Sequence, residues 1–445
     1  MDLKALKKAY NNCSPDEVLP PDDPRNVDLD RNDATGPGQL VRGAQWARRL
    51  GRQIELSGDT PVLKYFTGLR GSGKSTELLR LAERLRSKKG ANIFTIYVDA
   101  LDTMDLSSEI DIPDIMTILL YESERQILIE EKQDPANALK NGYITQIWKS
   151  VRATDIELNA LNFDVVAVGM KNRSDLRARV RNAVAAQLSS FLRDVRGGFV
   201  KLNARACALG YSGLIVVFDS LEKLQGISTT WRDVLKSAER VFATGAPHLR
   251  LPVHVLYTVP PALAFQAKVD VQYLPMIKLR SRDRRSFKQG LDAARSIIEK
   301  RVSSAILKER LGSTSAEPRI RRLIEWSGGY LRDILRLLQS LLEIEDIPVS
   351  NERFEDILNR AGDNYRRFVL TSGRIDLLAQ VAVDQDLILE SDADREAADR
   401  LLSNSVVMRY TNKEDWYELH PAVRNLKPVK DAIKRLKAAR AKRGR

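Results

Sequence analysis

The chain has 445 residues, of which 43% are hydrophobic and 29% charged, and its formal net charge is +13. This length exceeds one ordinary hydrophobic core and predicts two or three domains, while the composition matches folded domains and excludes wholesale disorder. No apolar stretch approaches the ~20 residues that a membrane span requires. The first residues lack a signal-peptide apolar region, so we expect a cytoplasmic protein without a membrane partner.

The cysteines and histidines have no spacing that is typical of a metal or nucleophile site. Cys13 and Cys207 lie far apart in the chain, which excludes a disulfide framework and a zinc cluster. We expect Cys207 to be a small core residue. The histidines are scattered and are expected to be structural, namely His248, His254 and His420.

A short strand leads from an N-terminal segment, residues 1–60, into a glycine-rich motif. The N-terminal segment contains a helical pattern over residues 37–56. Residues 62–67 then form an apolar, β-branched run, and residues 77–85 have helical spacing. The segment between this strand and helix matches the phosphate-binding pattern G-x-x-x-x-G-K-[ST] as Gly68-Leu69-Arg70-Gly71-Ser72-Gly73-Lys74-Ser75.

The residue types of this P-loop fit the binding of ATP or GTP with Mg²⁺. Its glycines let backbone N–H groups wrap the phosphates, and the helix N-terminus adds a favourable dipole. Lys74 is predicted to reach the β- and γ-phosphates, Ser75 to bind Mg²⁺, and Thr76 to help hold the α-phosphate. The predicted nucleotide-binding residues are Gly68, Arg70, Gly71, Ser72, Gly73, Lys74, Ser75 and Thr76.

Further apolar strands are predicted over residues 92–98, 214–218, 253–258 and 275–279. Continuous apolar strands separated by helical stretches indicate a mostly parallel sheet covered on both faces. Residues 105–208 have helical patterns over 112–131, 136–151 and 174–196. We therefore expect a helical insertion there, between the second and third strands, whose function is not readable.

A carboxylate for the metal is predicted at the end of the third strand. Asp219 directly follows the apolar run 214–218, where a P-loop protein needs an acidic residue to hold Mg²⁺. Glu222 is the best nearby candidate for positioning the attacking water. The alternative for Glu222 is a solvated residue at a helix start.

The C-terminal third predicts more helices, a hairpin and a basic tail. Residues 348–426 predict a winged-helix-like domain, with helices near 351–368, 375–383 and 392–402 and hairpin strands over 406–411 and 416–420. Either the third helix enters a DNA groove or the domain packs against the ATPase core or a partner, and acids at the start of that helix disfavour its contact with DNA. Trp416 and Tyr417 are expected to pack in the wing. Residues 427–445 hold nine Lys or Arg against one acid, a net +8. This tail is either a solvated helix or a contact for DNA or RNA phosphates.

Together these segments resemble an AAA+-type ATPase and, within that class, the STAND and Orc/Cdc6-like branches. The resemblance runs in order over residues 60–425. It implies an α/β P-loop NTPase fold with a parallel sheet of order 5-1-4-3-2, a core over 61–302, a helical lid over 303–347 and a C-terminal winged helix.

The resemblance also implies roles for particular residues. Thr258, near the end of the fourth strand, matches a sensor-1 residue, with an ordinary strand threonine as the alternative. Arg332, after Gly328-Gly329, resembles the sensor-2 arginine that reaches the γ-phosphate. The predicted catalytic residues are Lys74, Asp219, Glu222, Thr258 and Arg332, and the predicted metal ligands are Ser75 and Asp219.

One residue departs from the family pattern. Ser220 stands where AAA+ enzymes commonly have Glu directly after the metal-binding Asp, which argues against fast hydrolysis. The Asp-x-x-Glu arrangement of Asp219 and Glu222 resembles that of switch-type STAND ATPases, and this resemblance implies slow hydrolysis. ATP is preferred over GTP by resemblance and because no NKxD-type guanine motif lies near the sheet. The candidates for an arginine finger given to a neighbouring subunit are Arg280, Arg282, Arg284, Arg285 and Arg301, and the favoured alternative for most of them is a solvated basic loop.

These features predict a Mg²⁺-dependent ATP hydrolase that acts as a nucleotide-driven molecular switch. The resemblance implies a homo-oligomer, a partner effector protein and a role in mobile-element conflict such as phage defence. The alternative is a DNA-binding initiator or loader in which nucleotide clamps the protein on nucleic acid. A third hypothesis is a scaffold that binds nucleotide without hydrolysing it.

Overall fold

The computed structural model describes residues 2–30, 40–150, 174–224, 226, 230–265, 269–372 and 374–443. The chain divides into two compact units. The first unit comprises Met1–Arg48, Gly68–Thr76 and Leu274–Arg445, and the second comprises Arg49–Thr67 and Glu77–Tyr273. The P-loop therefore groups with the C-terminal half of the chain.

The second unit contains a five-stranded sheet with the order β2-β3-β4-β1-β5. Strands β2, β3, β4 and β1 pair in parallel. This confirms the predicted P-loop NTPase class and the predicted order 5-1-4-3-2. The strands are β1 (Leu63–Gly68), β2 (Ile93–Asp99), β3 (Gly213–Asp219), β4 (His254–Thr258) and β5 (Val271–Leu274).

The sheet forms because its central strands are apolar on both faces. Every residue of β3 from Leu214 to Phe218 is buried, as continuous burial in a parallel sheet requires. Aromatic rings fill one part of this core, where Tyr65 and Phe242 meet edge to face with their centroids 5.9 Å apart. The second unit thus has a hydrophobic core of its own.

Helices make up most of the remaining regular structure. No described helix has both the length and the apolar character needed to cross a membrane. The longer helices are α1 (Leu3–Asn12), α2 (Trp46–Ser57), α3 (Lys74–Arg86), α4 (Ile112–Glu130), α5 (Tyr143–Ser150), α6 (Ser174–Ala185), α7 (Leu188–Ala208), α8 (Trp231–Glu239), α9 (Lys288–Glu299), α10 (Ser304–Leu311), α11 (Ala316–Ser327), α12 (Leu331–Glu343), α13 (Asn351–Ser372), α14 (Ile375–Asp384), α15 (Asp392–Ser403) and α16 (Lys427–Arg443).

Two predicted helices begin or break at other places than expected. The N-terminal helical pattern over 37–56 becomes α2, which begins at Trp46, and residues 37–39 lie outside the described part of the chain. The pattern over 136–151 becomes a one-turn helix, Pro135–Ala138, followed by α5. Gly142 separates the two with extended backbone, at ψ 169°. Residues 151–173 of the predicted insertion lie outside the described residues.

Cys207 is exposed on α7, so its prediction as a core residue is wrong. Leu202 and Ala206 are completely buried on the inner face of this helix. Consecutive helical residues are about 100° apart around the axis, which turns Cys207 away from that face. In the first unit, by contrast, Cys13 is completely buried.

The first unit contains the C-terminal helices and a second sheet. In α12, the apolar positions Ile334, Leu337, Leu338 and Leu341 are buried at helical spacing in the core of this unit. Helices α13, α14 and α15 precede an antiparallel hairpin of β6 (Val407–Thr411) and β7 (Asp415–Leu419). The predicted three helices and hairpin are thus present, and their identity as a winged helix stays a prediction.

The fifth strand lies earlier in the chain than predicted. Residues 275–279 are not a strand, because Pro275 has no N–H to donate to a ladder. The N–H of Met276 instead donates to Arg409 O (3.0 Å) and that of Lys278 to Val41 O (3.0 Å). This apolar run belongs to the core of the first unit, whereas β5, with Gln272 inside it, lacks the apolar signature.

Lys278 is a buried lysine of the first unit. Its side chain donates to Asn412 Oδ1 (2.8 Å) at the tip of the β6–β7 hairpin, and its Nζ lies 5.0 Å from the centre of the Phe287 ring. Burial lowers the pKa of Lys278 from the usual 10.5 to about 8. The position therefore favours the neutral amine more strongly than water does.

Replacing Lys278 by Met is expected to remove a pH-dependent contribution to stability. Between pH ~8 and ~10.5 the unfolded chain holds the Lys278 proton and the folded protein does not, so the wild-type free energy of unfolding rises with pH there. Relative to Lys278→Met, the rise is on the order of 3 kcal/mol, and it is absent below pH ~8. Urea unfolding across this range measures it, with Lys288→Met as the exposed control. A pH-independent difference between wild type and Lys278→Met would contradict the expectation.

Candidate functional site

The P-loop connects β1 to α3, as the motif requires. β1 ends at Gly68, α3 begins at Lys74, and the N–H groups of the first helical turn have no partner within the helix. Gly71 and Gly73 have left-handed backbone, at φ +70° and +91°. Only glycine adopts this conformation readily, so the loop can turn its N–H groups toward an anion.

The Lys74 side chain lies against the loop itself. It is buried, and its Nζ donates to Gly68 O (3.0 Å) and Leu69 O (2.9 Å). The ammonium group is thus held beside the loop backbone that is predicted to surround a phosphate. In the predicted contact of Lys74 with the β- and γ-phosphates, phosphate oxygens would take the place of these carbonyl acceptors.

Arg42 supports the loop and was not predicted from the sequence. It is almost completely buried, and its Nη2 donates to Ser72 O at 2.5 Å. No motif marks Arg42, since its partner lies 30 residues away in the chain.

The N-terminus of α12 packs directly on the P-loop. A methyl group added at Gly71 would lie 2.7 Å from Arg332 Cβ and 3.1 Å from Tyr330 Cε2. The structure therefore brings Arg332 to the loop, although its role as a sensor-2 residue stays a prediction. Arg70 and Arg332 also line a cavity of about 650 Å³ within the first unit.

In the second unit, Asp219 ends β3 and is completely buried. The Tyr97 hydroxyl donates to Asp219 Oδ2 at 2.5 Å, and the Ser220 N–H donates to Asp219 Oδ1 at 2.7 Å. Burial, and then the neighbouring Asp219 charge, raises the pKa of Tyr97, so the phenol stays protonated and keeps donating. Tyr97 was not predicted, although its position two residues before Asp99 puts it on one face of β2 with that acidic strand end.

Thr258 ends β4 and holds the turn that follows Asp219. Its Oγ1 accepts from the Leu221 N–H at 2.9 Å and donates to Phe218 O at 3.4 Å. Ser220, between these two residues, is buried with left-handed backbone at φ +69°. Thr258 therefore supports the turn at Asp219, and its contact with a γ-phosphate stays a prediction.

Glu222 lies in a short 3-10 turn after Ser220. Its side chain is buried, with only 6% of the residue exposed. The alternative of a solvated residue at a helix start is therefore wrong. A buried carboxylate close in sequence to Asp219 suits the predicted positioning of water.

The predicted site residues thus form two groups, each held within one unit. Lys74, Ser75 and Arg332 belong to the first unit and Asp219, Glu222 and Thr258 to the second. Strands β3 and β4 are parallel neighbours, so Asp219 and Thr258 share the carboxyl edge of the sheet. β1 continues along the chain from this sheet into the P-loop.

The arginine-finger candidates have contacts of their own. Arg301 is held by Arg25 O (3.2 Å) and Ile297 O (3.0 Å), which suits a structural role. Arg284 donates to Ala382 O at 2.9 Å. Arg282 and Arg285 make exposed ion pairs with acidic side chains. A role for any of these residues as an arginine finger stays a prediction.

The solved structures that are similar to this chain include two nucleotide-related proteins. One is the Walker-type ATPase PABY2304 of Pyrococcus abyssi, with 14% identity and a TM-score of 0.37, covering 87% of this chain and 95% of that one. The other is the ORC2 protein of Aeropyrum pernix in ADPNP–ADP complexes, with 12% identity and a TM-score of 0.35, covering 93% and 99%. No protein-family model and no curated protein matches. The P-loop NTPase fold is assigned from the strand order and the strand–loop–helix motif.

Replacing Thr258 by Val is expected to destabilise the turn at Asp219. The Leu221 N–H would lose its buried acceptor, which costs roughly 1–3 kcal/mol. Thr258→Ser keeps the hydroxyl and is the matched control. Urea unfolding gives the loss of stability, and hydrogen exchange at the Leu221 amide locates it. Equal stability and equal exchange in the Val and Ser variants would show that the hydroxyl does not hold this turn.

Proposed function

We propose that this chain binds Mg-ATP through its P-loop, hydrolyses it slowly and acts as a nucleotide-driven switch. The observation that carries the proposal is the loop itself, with two left-handed glycines, a helix N-terminus and a buried lysine. These are the groups that bind a nucleoside triphosphate in P-loop proteins. The choice of ATP over GTP rests on the resemblance to AAA+ ATPases.

In the proposed mechanism, loop N–H groups and Lys74 hold the β- and γ-phosphates in line for attack by water. Ser75 and Asp219 are the proposed Mg²⁺ ligands, and Tyr97 fixes the orientation of the Asp219 carboxylate through its hydrogen bond. Mg²⁺, when bound, supplies charge stabilisation at the phosphate oxygens. Glu222 orients the water whose oxygen bonds to the γ-phosphorus while the bond to the ADP oxygen breaks.

Slow turnover is supported by the turn after Asp219. The position directly after it holds a serine hydroxyl, which is a poor base, and the first carboxylate downstream is that of Glu222, three residues after Asp219. Ser220 Oγ accepts from Lys223 Nζ at 3.0 Å, so the serine hydroxyl makes a hydrogen bond within the turn. Positioning of water is therefore assigned to Glu222 rather than to a residue adjacent to Asp219.

A switch function is supported by contacts of the segment that begins α12. The Tyr410 hydroxyl of the hairpin donates to Gly328 O at 2.5 Å. The Asp333 carboxylate accepts from the Tyr365 hydroxyl at 2.8 Å and lies 3.1 Å from His420 Nε2. The residues between Gly328 and Asp333 include those that pack on Gly71. A shift of this segment at the phosphates would therefore be passed to the C-terminal elements.

Self-association on ATP, an effector partner and a role in mobile-element conflict such as phage defence rest on the resemblance to STAND and AAA+ proteins. In such assemblies one subunit completes the next subunit's site. Nucleotide-dependent assembly can be measured directly, and the Lys74→Ala variant tests both assembly and nucleotide binding.

Replacing Lys74 by Ala is expected to lower the affinity for Mg-ATP by at least about tenfold, because a charge-assisted contact to the phosphates is lost. Calorimetry with a non-hydrolysable ATP analogue measures the affinity. Light scattering with the same analogue is expected to show a higher particle mass for the wild type only. Phosphate release from ATP should fall in parallel.

The matched control is Lys88→Ala, which removes an exposed lysine just after α3. Wild-type affinity in Lys74→Ala would refute the P-loop proposal. A wild-type particle mass that is the same with and without the analogue would contradict the proposed assembly but not the proposed nucleotide binding.

A second candidate function is nucleic-acid binding through α16. Its inner face buries Val429 and Ala432, and the helix packs on α14. The charged positions on its other faces are exposed, namely Lys427, Lys430, Lys434, Arg435, Lys437, Arg440 and Lys442. Arg440 pairs with Asp384, and Asp431 is the one acid described within the helix. This cationic surface fits the phosphate backbone of DNA or RNA.

Replacing Lys430, Lys434 and Lys437 together by Gln is expected to weaken duplex DNA binding and its salt dependence. These residues share one face of α16, and each phosphate contact contributes about 0.9 to the slope of log affinity against log salt. The slope should fall by up to about 3. Fluorescence anisotropy at several salt concentrations measures it.

The control is the triple Gln variant of three exposed lysines of the second unit, Lys88, Lys89 and Lys140. The same slope in wild type and in the α16 variant would remove the helix from any nucleic-acid contact. The α16 variant keeps the buried face intact, so loss of folding does not imitate loss of binding.

A further inference from the structure

Arg332, which packs on the P-loop, makes an ion pair with the N-terminal segment. Its Nη2 lies 2.8 Å from Asp16 Oδ1. The Asp16 side chain is 72% exposed, whereas that of Arg332 is 21% exposed. The Asp16 carboxylate thus binds the end of the guanidinium that is predicted to contact the γ-phosphate.

Asp16 is held in place by residues on both sides of it. Cys13 and Leu19, each three residues away, are buried in the first unit. Asn12 donates to Arg301 O at 3.2 Å, and Arg301 in turn donates to Arg25 O. The short stretch between these anchors keeps the Asp16 carboxylate within reach of Arg332.

The Arg332 guanidinium has further donor capacity on the side of the P-loop. Its Nε is buried and makes no hydrogen bond with the residues that the structure describes. A methyl group added at Gly71 would lie 3.0 Å from this Nε. The donor edge that includes Nε therefore lies over the loop that is proposed to bind phosphates.

The relative strength of the two anions favours exchange. The ion pair of Arg332 with the mostly exposed Asp16 carboxylate is weak, because water screens it. A phosphate at a P-loop is partly desolvated and accepts two N–H groups of one guanidinium in parallel, which makes it the stronger partner. ATP presents a terminal γ-phosphate for this contact, and ADP does not.

We propose that Asp16 is a specificity-determining residue that competes with the γ-phosphate of ATP for Arg332. The inference rests on the proposed ATP-binding function and adds its regulation. ATP displaces Asp16 from Arg332, whereas ADP leaves the ion pair in place. Asp16 therefore lowers the preference for ATP over ADP, and its ion pair with Arg332 depends on the nucleotide state.

The opposite role would be that Asp16 orients Arg332 for the phosphate. The two roles differ in sign. A competitor lowers ATP affinity, so its removal raises that affinity, whereas an orienting residue raises ATP affinity and its removal lowers it.

Replacing Asp16 by Asn in the full chain is expected to tighten binding of a non-hydrolysable ATP analogue about two- to fivefold and to leave ADP affinity unchanged. The gain should shrink at high salt, because the exposed ion pair is screened there. Calorimetry with both nucleotides at low and high salt measures the affinity ratio. Asp22→Asn makes the same charge change in the same segment and should leave the ratio at the wild-type value.

Arg332→Ala tests whether the effect runs through the proposed pair. In this background the analogue should bind more weakly, and adding Asp16→Asn should change nothing further. An unchanged or lowered ATP preference in Asp16→Asn overturns the inference, as does a gain that persists without Arg332 or that Asp22→Asn reproduces. If Lys74→Ala loses binding while Asp16→Asn is silent, only this inference fails. If Lys74→Ala binds like wild type, the proposed function itself fails.

Discussion

The close approach of α12 to Gly71 is the contact on which the arrangement of the first unit depends. No side chain at position 71 would leave room for Arg332 Cβ and the Tyr330 ring, and the left-handed backbone there also demands glycine. The P-loop therefore meets two requirements at once, a left-handed glycine backbone and room for a packed helix N-terminus. Any change in the loop backbone must be accommodated by the start of α12, which explains why the loop groups with the C-terminal half of the chain.

In the second unit the main constraint is a carboxylate that is shielded from solvent. Asp219 is completely buried at the end of β3, so its oxygens need donors within the protein. The Tyr97 hydroxyl and the Ser220 N–H provide them, and Thr258 fixes the turn from the neighbouring strand. The polar groups at this edge of the sheet form one network, in which each member restricts the geometry of the next.

The sequence was sufficient where the structure follows from a local pattern. The strand order, the strand–loop–helix motif and the acidic end of β3 were all predicted from short segments and the resemblance that they carry. The fifth strand was misplaced because the run 275–279 is apolar for tertiary reasons, and Cys207 was misplaced because one residue changes the face of a helix. Arg42, Tyr97 and Asp16 were missed altogether, since each acts on a residue distant in sequence.

The β6–β7 hairpin is joined to the rest of the first unit by backbone as well as side-chain hydrogen bonds. Arg409 O accepts from Met276, and the Tyr410 hydroxyl donates to Gly328 O, one residue before the turn that leads to α12. The hairpin is thus part of the scaffold under the P-loop rather than a module that could be exchanged for another. Substitutions in the P-loop and in this hairpin are therefore expected to have coupled effects on stability, because both elements contact the segment that begins α12.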